Sequence, residues 1–151
     1  MSDQEERVPE FGERTPGVHY VDRPGAYGVA FDEERRRVCV LRSHQGDFLP
    51  GGGAHAGESE EDTLRREVRE ECGRAVEVVR RVGFALQYVE DARGQHIAKR
   101  CSFYELRLGR TVAGQTEEDH EFLWMPIEDA CARLSHESQR WAVDAAVRMP
   151  E

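Results

Sequence analysis

At 151 residues, 38% hydrophobic and 34% charged, the chain reads as one globular domain large enough to bury a core without staples. Thirty acidic against 21 basic side chains give a formal net charge of −9, which argues against polymeric nucleic acid, since a phosphate backbone needs a basic surface. The charged N-terminus and the lack of a long apolar run argue against a signal peptide and a membrane, and the scattered Cys39, Cys72, Cys101 and Cys131 read as reduced thiols in a cytoplasmic setting.

In chain order, residues 1–14 are polar and are expected to form a mobile N-terminus, leaving 15–151 as the single domain. Residues 18–21 suggest a short edge strand ended by Pro24-Gly25, and 26–31 a first core strand. A charged turn at 32–37 leads to a buried strand at 38–41, read as the second arm of a hairpin. Residues 43–48 are expected to be loop.

The stretch 49–74, LPGGGAHAGESEEDTLRREVREECGR, combines a glycine run with a helical pattern. Pro50 and the three glycines predict neither helix nor strand. Ser59 suits the helix N-cap, Glu60, Glu61 and Asp62 oppose the positive end of the helix dipole, and Gly73 is the expected stop. Leu64, Val68 and Cys72 form an apolar stripe at i, i+4 and i+8, bordered by Glu67, Glu70 and Glu71. A solvated acidic face is the plain alternative. The acids border the apolar stripe, however, and follow a loop whose backbone can approach a ligand closely. Clustered carboxylates beside backbone carbonyls suit a hard divalent cation, Mg²⁺ or Mn²⁺.

Beyond Gly73, strand patterns occur at 76–78 and around Phe84, Leu86 and Tyr88, followed by a turn at 91–94 and a long strand at 97–108. Cys101 and Phe103 share one face of that strand; Tyr104, Leu106 and Leu108 share the other. A loop at 109–114, a short strand at 122–124 ended by Pro126, and helices at 127–134 and 137–148 complete the chain. Strands, one glutamate-rich helix, strands and then helices suit an α/β protein with a sheet covered on both sides.

Gly52, Glu58, Arg66-Glu67-Val68, Glu70-Glu71 and Gly73 stand in the register of the Nudix box of the MutT-like hydrolases, which this chain resembles. Two positions depart: Arg74 replaces the usual closing aliphatic residue, and Thr63-Leu64 stands where small residues are common. Tyr20, Arg23, Ala26-Tyr27 and residues 138–142 add a weaker likeness to a bacterial MutT-like subgroup. The resemblance implies an α/β/α sandwich with a mixed, curved β-sheet. It also implies a Mg²⁺-dependent pyrophosphohydrolase in which water attacks phosphorus of a nucleoside diphosphate linked to a moiety X, an oxidised nucleoside triphosphate being one such substrate. A bound metal would neutralise the charge of such a nucleotide.

Carried over, Glu70 and Glu71 are metal ligands, with a backbone carbonyl of Gly51 or Gly52. Glu67 is a ligand or the general base. Arg66 is expected to orient a catalytic carboxylate by a bidentate contact, and Glu58 to support the loop. Glu118 is the choice among Glu117, Glu118 and Glu121 for a further ligand or base, a solvated acidic loop being the alternative. His55 is a candidate substrate contact, with His44 and His120 as weaker ones; for each, a surface histidine is the plain alternative. Tyr27, Phe84, Tyr88 and Phe103 could stack a base, although strand aromatics are more often core. The expected partner is a small nucleotide or nucleotide derivative, and a homodimer is an open assembly. The rival reading is a non-catalytic Nudix-fold nucleotide sensor, whose signature would be degenerate box glutamates; here they are intact.

Overall fold

The computed structural model describes residues 7–112 and 119–151. The described elements are β1 (Glu10–Phe11), β2 (Val21–Ala30), β3 (Arg37–Ser43), β4 (Gly46–Phe48), β5 (Gly51–Gly53), α1 (Glu60–Cys72), β6 (Arg74–Glu90), β7 (His96–Thr111), β8 (Glu121–Pro126), α2 (Ile127–Arg133) and α3 (Glu137–Arg148). A mixed five-stranded sheet runs β1-β6-β7-β2-β5, and a three-stranded sheet runs β4-β3-β8. At the centre of the larger sheet, β2 pairs with β7 in parallel, while β6 and β7 form a long antiparallel hairpin. Register shifts in β6 interrupt that ladder at three places, and such bulges increase twist and bend the strand.

Strand alternation builds two core layers. On one side of the sheet, Val29, Phe103, Ala85 and Cys101 pack with Leu134, Ala142, Val143 and Ala146 from the last two helices. On the other, Ala26, Ala30 and Leu106 pack with Leu64 and Val68 of α1. Both faces of β7 are therefore covered, as its sequence predicts, and the architecture is the expected α/β/α sandwich with a mixed sheet. The N-terminus of α1 is capped by Ser59 in a reciprocal capping box with Asp62, and Gly73 closes the helix at φ 64°. Glu60 then ties the first turn to β7, accepting hydrogen bonds from Ser102 Oγ (2.8 Å) and from the Tyr104 hydroxyl.

Several local expectations give way to tertiary pairing. Within the segment expected to be a mobile N-terminus, Glu10 and Phe11 instead form β1, parallel to β6. Pro24-Gly25 does not end a strand, because β2 runs through it. The Pro24 carbonyl accepts the Ala54 N–H at 3.0 Å. In extended chain the nitrogen and oxygen of a residue face the same way, so the donor that proline lacks points away from β7. No bond of the β7 ladder is lost. The expected hairpin between β2 and β3 reduces to one bridge, Phe31 to Val38, and β3 pairs instead with β4 and β8. Residues 46–48, expected as loop, form β4. The two segments expected around 76–78 and 84–88 are one strand, β6, bent at its bulges.

The glycine run is itself a strand, β5, antiparallel to β2. A Cβ on Gly51 would lie 2.2 Å from the Ala26 carbonyl oxygen and 2.6 Å from Tyr27 Cα, at φ 136°. Glycine is thus needed for this close approach. Gly51→Ala should destabilise the domain by about 1–3 kcal/mol, the scale of one strained backbone residue, measured by denaturant unfolding. An unchanged midpoint would mean that β5 is not held this tightly.

Candidate active site

Arg66 organises the side of α1 that faces β5. Its Nε and Nη2 donate to the two oxygens of Glu58 at 2.7 and 3.0 Å, a bidentate pair. Nη2 also donates to the Gly53 carbonyl at 2.9 Å, pinning the end of β5 to the helix. Nη1 donates to Glu67 Oε1 at 2.9 Å and Glu70 Oε2 at 3.3 Å. The bidentate contact therefore goes to the loop carboxylate Glu58, whereas the sequence suggested a catalytic one. Glu67 and Glu70 each receive a single contact.

Glu58 also accepts the His55 N–H at 2.7 Å and the Thr63 hydroxyl at 3.1 Å, the loop-supporting role expected of it. The Arg66 hydrogen bond, followed by that of the His55 N–H, holds its carboxyl down at about 2, from an ordinary 4.5. Between those values the unfolded chain binds more protons, so stability rises with pH there. The contribution is complete above the ordinary value and is lost as pH falls through about 2. Glu58→Gln should flatten the pH dependence of unfolding in this acid window. A variant with the same acid limb as the parent would remove Glu58 as its source.

Glu67 faces the glycine strand so closely that a Cβ on Gly52 would lie 2.7 Å from its carboxylate. Glu71 is only 7% exposed, and its Oε1 accepts the Gly51 N–H at 2.9 Å. Glu67 and Glu70 converge on one guanidinium nitrogen, Arg66 Nη1, and this group of hard oxygen donors suits a divalent ion. Among the described residues, no group of three or more His, Cys, Asp or Glu side chains already adopts a metal-holding arrangement. Glu118 lies outside the described residues.

Beyond β5 opens a cleft of about 520 Å³, lined on the β5 side by Gly51, Gly52 and Gly53 and also by Glu71. Its wall includes Tyr27, Phe48, Arg23, Lys99, His120 and His136. Burial raises the Tyr27 phenol well above its ordinary value, with the charges of Cys101, Glu67 and Glu71 adding to the effect. Burial also pushes His136 down to about 4, helped by Lys99 and Arg140. Both groups are therefore neutral near pH 7. Gln139 Oε1 accepts the Leu49 N–H at 2.8 Å and so fixes the approach to the glycine strand from α3.

Of the residues singled out from the sequence, Glu67, Glu70, Glu71, Arg66, Gly51 and Gly52 come together. His55 is exposed and lines a different cleft, beside Arg81 and Arg100. His44 is exposed, while His120 lines the 520 Å³ cleft. Among the aromatics, Tyr27 reaches that cleft and Phe103 is core; Phe84 lies under Arg100, and Tyr88 packs on Tyr20. Sequence reasoning gave no role to Lys99, which belongs to no local motif, and none to Gln139 beyond the subgroup likeness of residues 138–142. Parallel pairing and helix docking bring them in.

A family model for the NUDIX domain matches residues 21–147. A Mycobacterium tuberculosis protein named as a mutator protein, MutT4, is 31% identical over 99 residues, 65% of this chain and 40% of the relative. The chain thus spans about two fifths of the length of that curated relative. Among solved structures, a NUDIX hydrolase from Nitrosomonas europaea superposes with TM-score 0.68 at 13% identity, over 84% of this chain and 89% of that one. A MutT NUDIX hydrolase from Burkholderia pseudomallei superposes with TM-score 0.63 at 22% identity, over 83% and 98%.

Proposed function

Because the chain belongs to the NUDIX family, we propose that it is a pyrophosphohydrolase acting on a nucleoside diphosphate linked to a second moiety X. The supporting observation is the convergence of Glu67 and Glu70 on Arg66 Nη1 beside β5, whose three glycines, with Glu71, line a cleft of about 520 Å³, a volume in the range of small-ligand sites. Mg²⁺, replaceable by Mn²⁺, fits the oxygen donors and, when bound, neutralises phosphate charge and lowers the pKa of water. Glu67, Glu70, Glu71 and a carbonyl of Gly51 or Gly52 would hold it, with Glu118 as a further ligand or base. Glu67 is the alternative base. Arg66 keeps the carboxylates in place, and the cleft beyond β5 takes the nucleotide. The substrate is a small molecule, and four free thiols suit a cytoplasmic setting. No described helix is long and apolar enough to cross a membrane.

A nucleotide panel assayed for phosphate and pyrophosphate release, with and without Mg²⁺, tests this reading. Metal-dependent release of a nucleoside monophosphate is expected. Binding without product at long incubation, even with Mn²⁺ at alkaline pH, would indicate a sensor. Within the same assay, Glu118→Gln should lower turnover by about 10²-fold or more, as for a lost acid–base group, with a much smaller effect on substrate affinity. A silent Glu118→Gln beside a crippling Glu117→Gln or Glu121→Gln would move the role to that neighbour.

A further inference from the structure

Cys39 on β3 and Cys72, the last residue of α1, meet in the core layer on the α1 side of the sheet. Strand alternation sends Val38 and Val40 into the other layer and leaves Cys39 packed with Ala30, Leu64 and Val68. Cys72 packs against the same cluster from the end of the helix. The two thiols lie within hydrogen-bonding reach of each other. Their access to solvent differs: Cys39 is 0% exposed, whereas Cys72 is only partly covered. Cys101 and Cys131 pack in the opposite core layer, so neither competes for Cys72.

A thiol that meets solvent, set against a second thiol that can resolve it, is the arrangement in which oxidation stops at a disulfide. The place of Cys72 gives such a bridge a consequence. It follows Glu71, which is 7% exposed and whose Oε1 accepts the Gly51 N–H at 2.9 Å. Sulfurs joined in a disulfide stand about 2.05 Å apart, closer than two thiols in a hydrogen bond. Bridging therefore draws the last turn of α1 toward β3, and Glu71 with it.

We propose that Cys39 and Cys72 form a reversible disulfide, with a hydroperoxide as oxidant, and that the bridge lowers hydrolysis by displacing Glu71. The Cys72 sulfur attacks one peroxide oxygen. An S–O bond forms as the O–O bond breaks, and the other oxygen leaves as water with the Cys72 proton. The Cys39 sulfur then displaces hydroxide from the resulting sulfenic acid, and its own proton completes a second water. Two electrons pass from the two thiols to the peroxide, and a small dithiol returns them by thiol–disulfide exchange. The bridge stands on the thiol geometry alone, while its effect on turnover rests on the pyrophosphohydrolase reading above.

Hydrogen peroxide added to the full protein tests this, with mass spectrometry, turnover and Mn²⁺ binding as readouts. The intact mass should fall by two hydrogens, and trypsin should release residues 38–42 joined to residues 70–74. Turnover should drop by about tenfold or more, the scale of a misplaced reacting group. Mn²⁺ affinity should drop by about tenfold. Dithiothreitol should restore all three. Cys72→Ala, a change at a partly exposed helix end, should hydrolyse as the parent does and keep its turnover in peroxide. Cys39→Ala should form no bridge, and Cys101→Ala should respond as the parent does. Oxidation at Cys72 with no link to Cys39 would overturn the inference. So would inhibition that survives Cys72→Ala, or a bridge that leaves turnover and Mn²⁺ affinity unchanged. A parent that hydrolyses no nucleotide, yet forms the bridge and binds Mn²⁺ more weakly for it, would count against the enzyme reading alone.

Discussion

Glu70→Gln is expected to abolish most turnover while leaving the domain folded. The side chain keeps its shape but loses the charge that a hard cation requires. Loss of metal-supported charge stabilisation removes several kcal/mol from the transition state, so turnover should fall at least about 10³-fold. The fold should survive because Glu70 lies on α1 beside two other carboxylates, and its protein contact is one Arg66 N–H at 3.3 Å. Removing one of three crowded charges also relieves repulsion within the turn. Steady-state kinetics across a Mg²⁺ titration, with thermal unfolding as a control, separates the two effects. Near-normal turnover at limiting Mg²⁺ would remove Glu70 from the metal site.

What the sequence made legible was local. The caps of α1, its apolar stripe and its acidic border are set within one or two turns, and Ser59, Leu64, Val68 and Gly73 behave as their spacing predicts. The alternation in β7 was equally readable, because both of its faces are buried. Breaker residues misled. Pro24 and the glycines of β5 are punctuation in an isolated peptide, but here they permit close strand approach and cost no ladder bond. Arg23 and Lys99 meet only through the parallel register of distant strands, which no local pattern encodes. Arg66 shows the same limit: only the family resemblance gave it a carboxylate to orient, and its bidentate partner depended on how the loop returns Glu58 to the helix.

Arg66 should therefore be sensitive in two separable ways. With 15% of its side chain exposed and partners Glu58 and Glu67 at 17% and 14%, it is a largely enclosed cation. Arg66→Met leaves Glu58 and Glu67 without their shared counter-charge and frees the Gly53 carbonyl. Breaking such a network by removing one partner should destabilise by about 2–3 kcal/mol, discounted from the fully buried case for the residual exposure. Displacement of Glu67 and Glu70 should also cost about 10²-fold in turnover, the scale of a small misplacement of reacting groups. Arg66→Lys separates the effects. An ammonium restores positive charge near Glu58, but it cannot reach Glu58, Gly53, Glu67 and Glu70 with one rigid fork. Stability should recover in part while turnover stays low. Full recovery of turnover in Arg66→Lys would show that only the charge matters, and would remove the fork geometry from the positioning of Glu67 and Glu70.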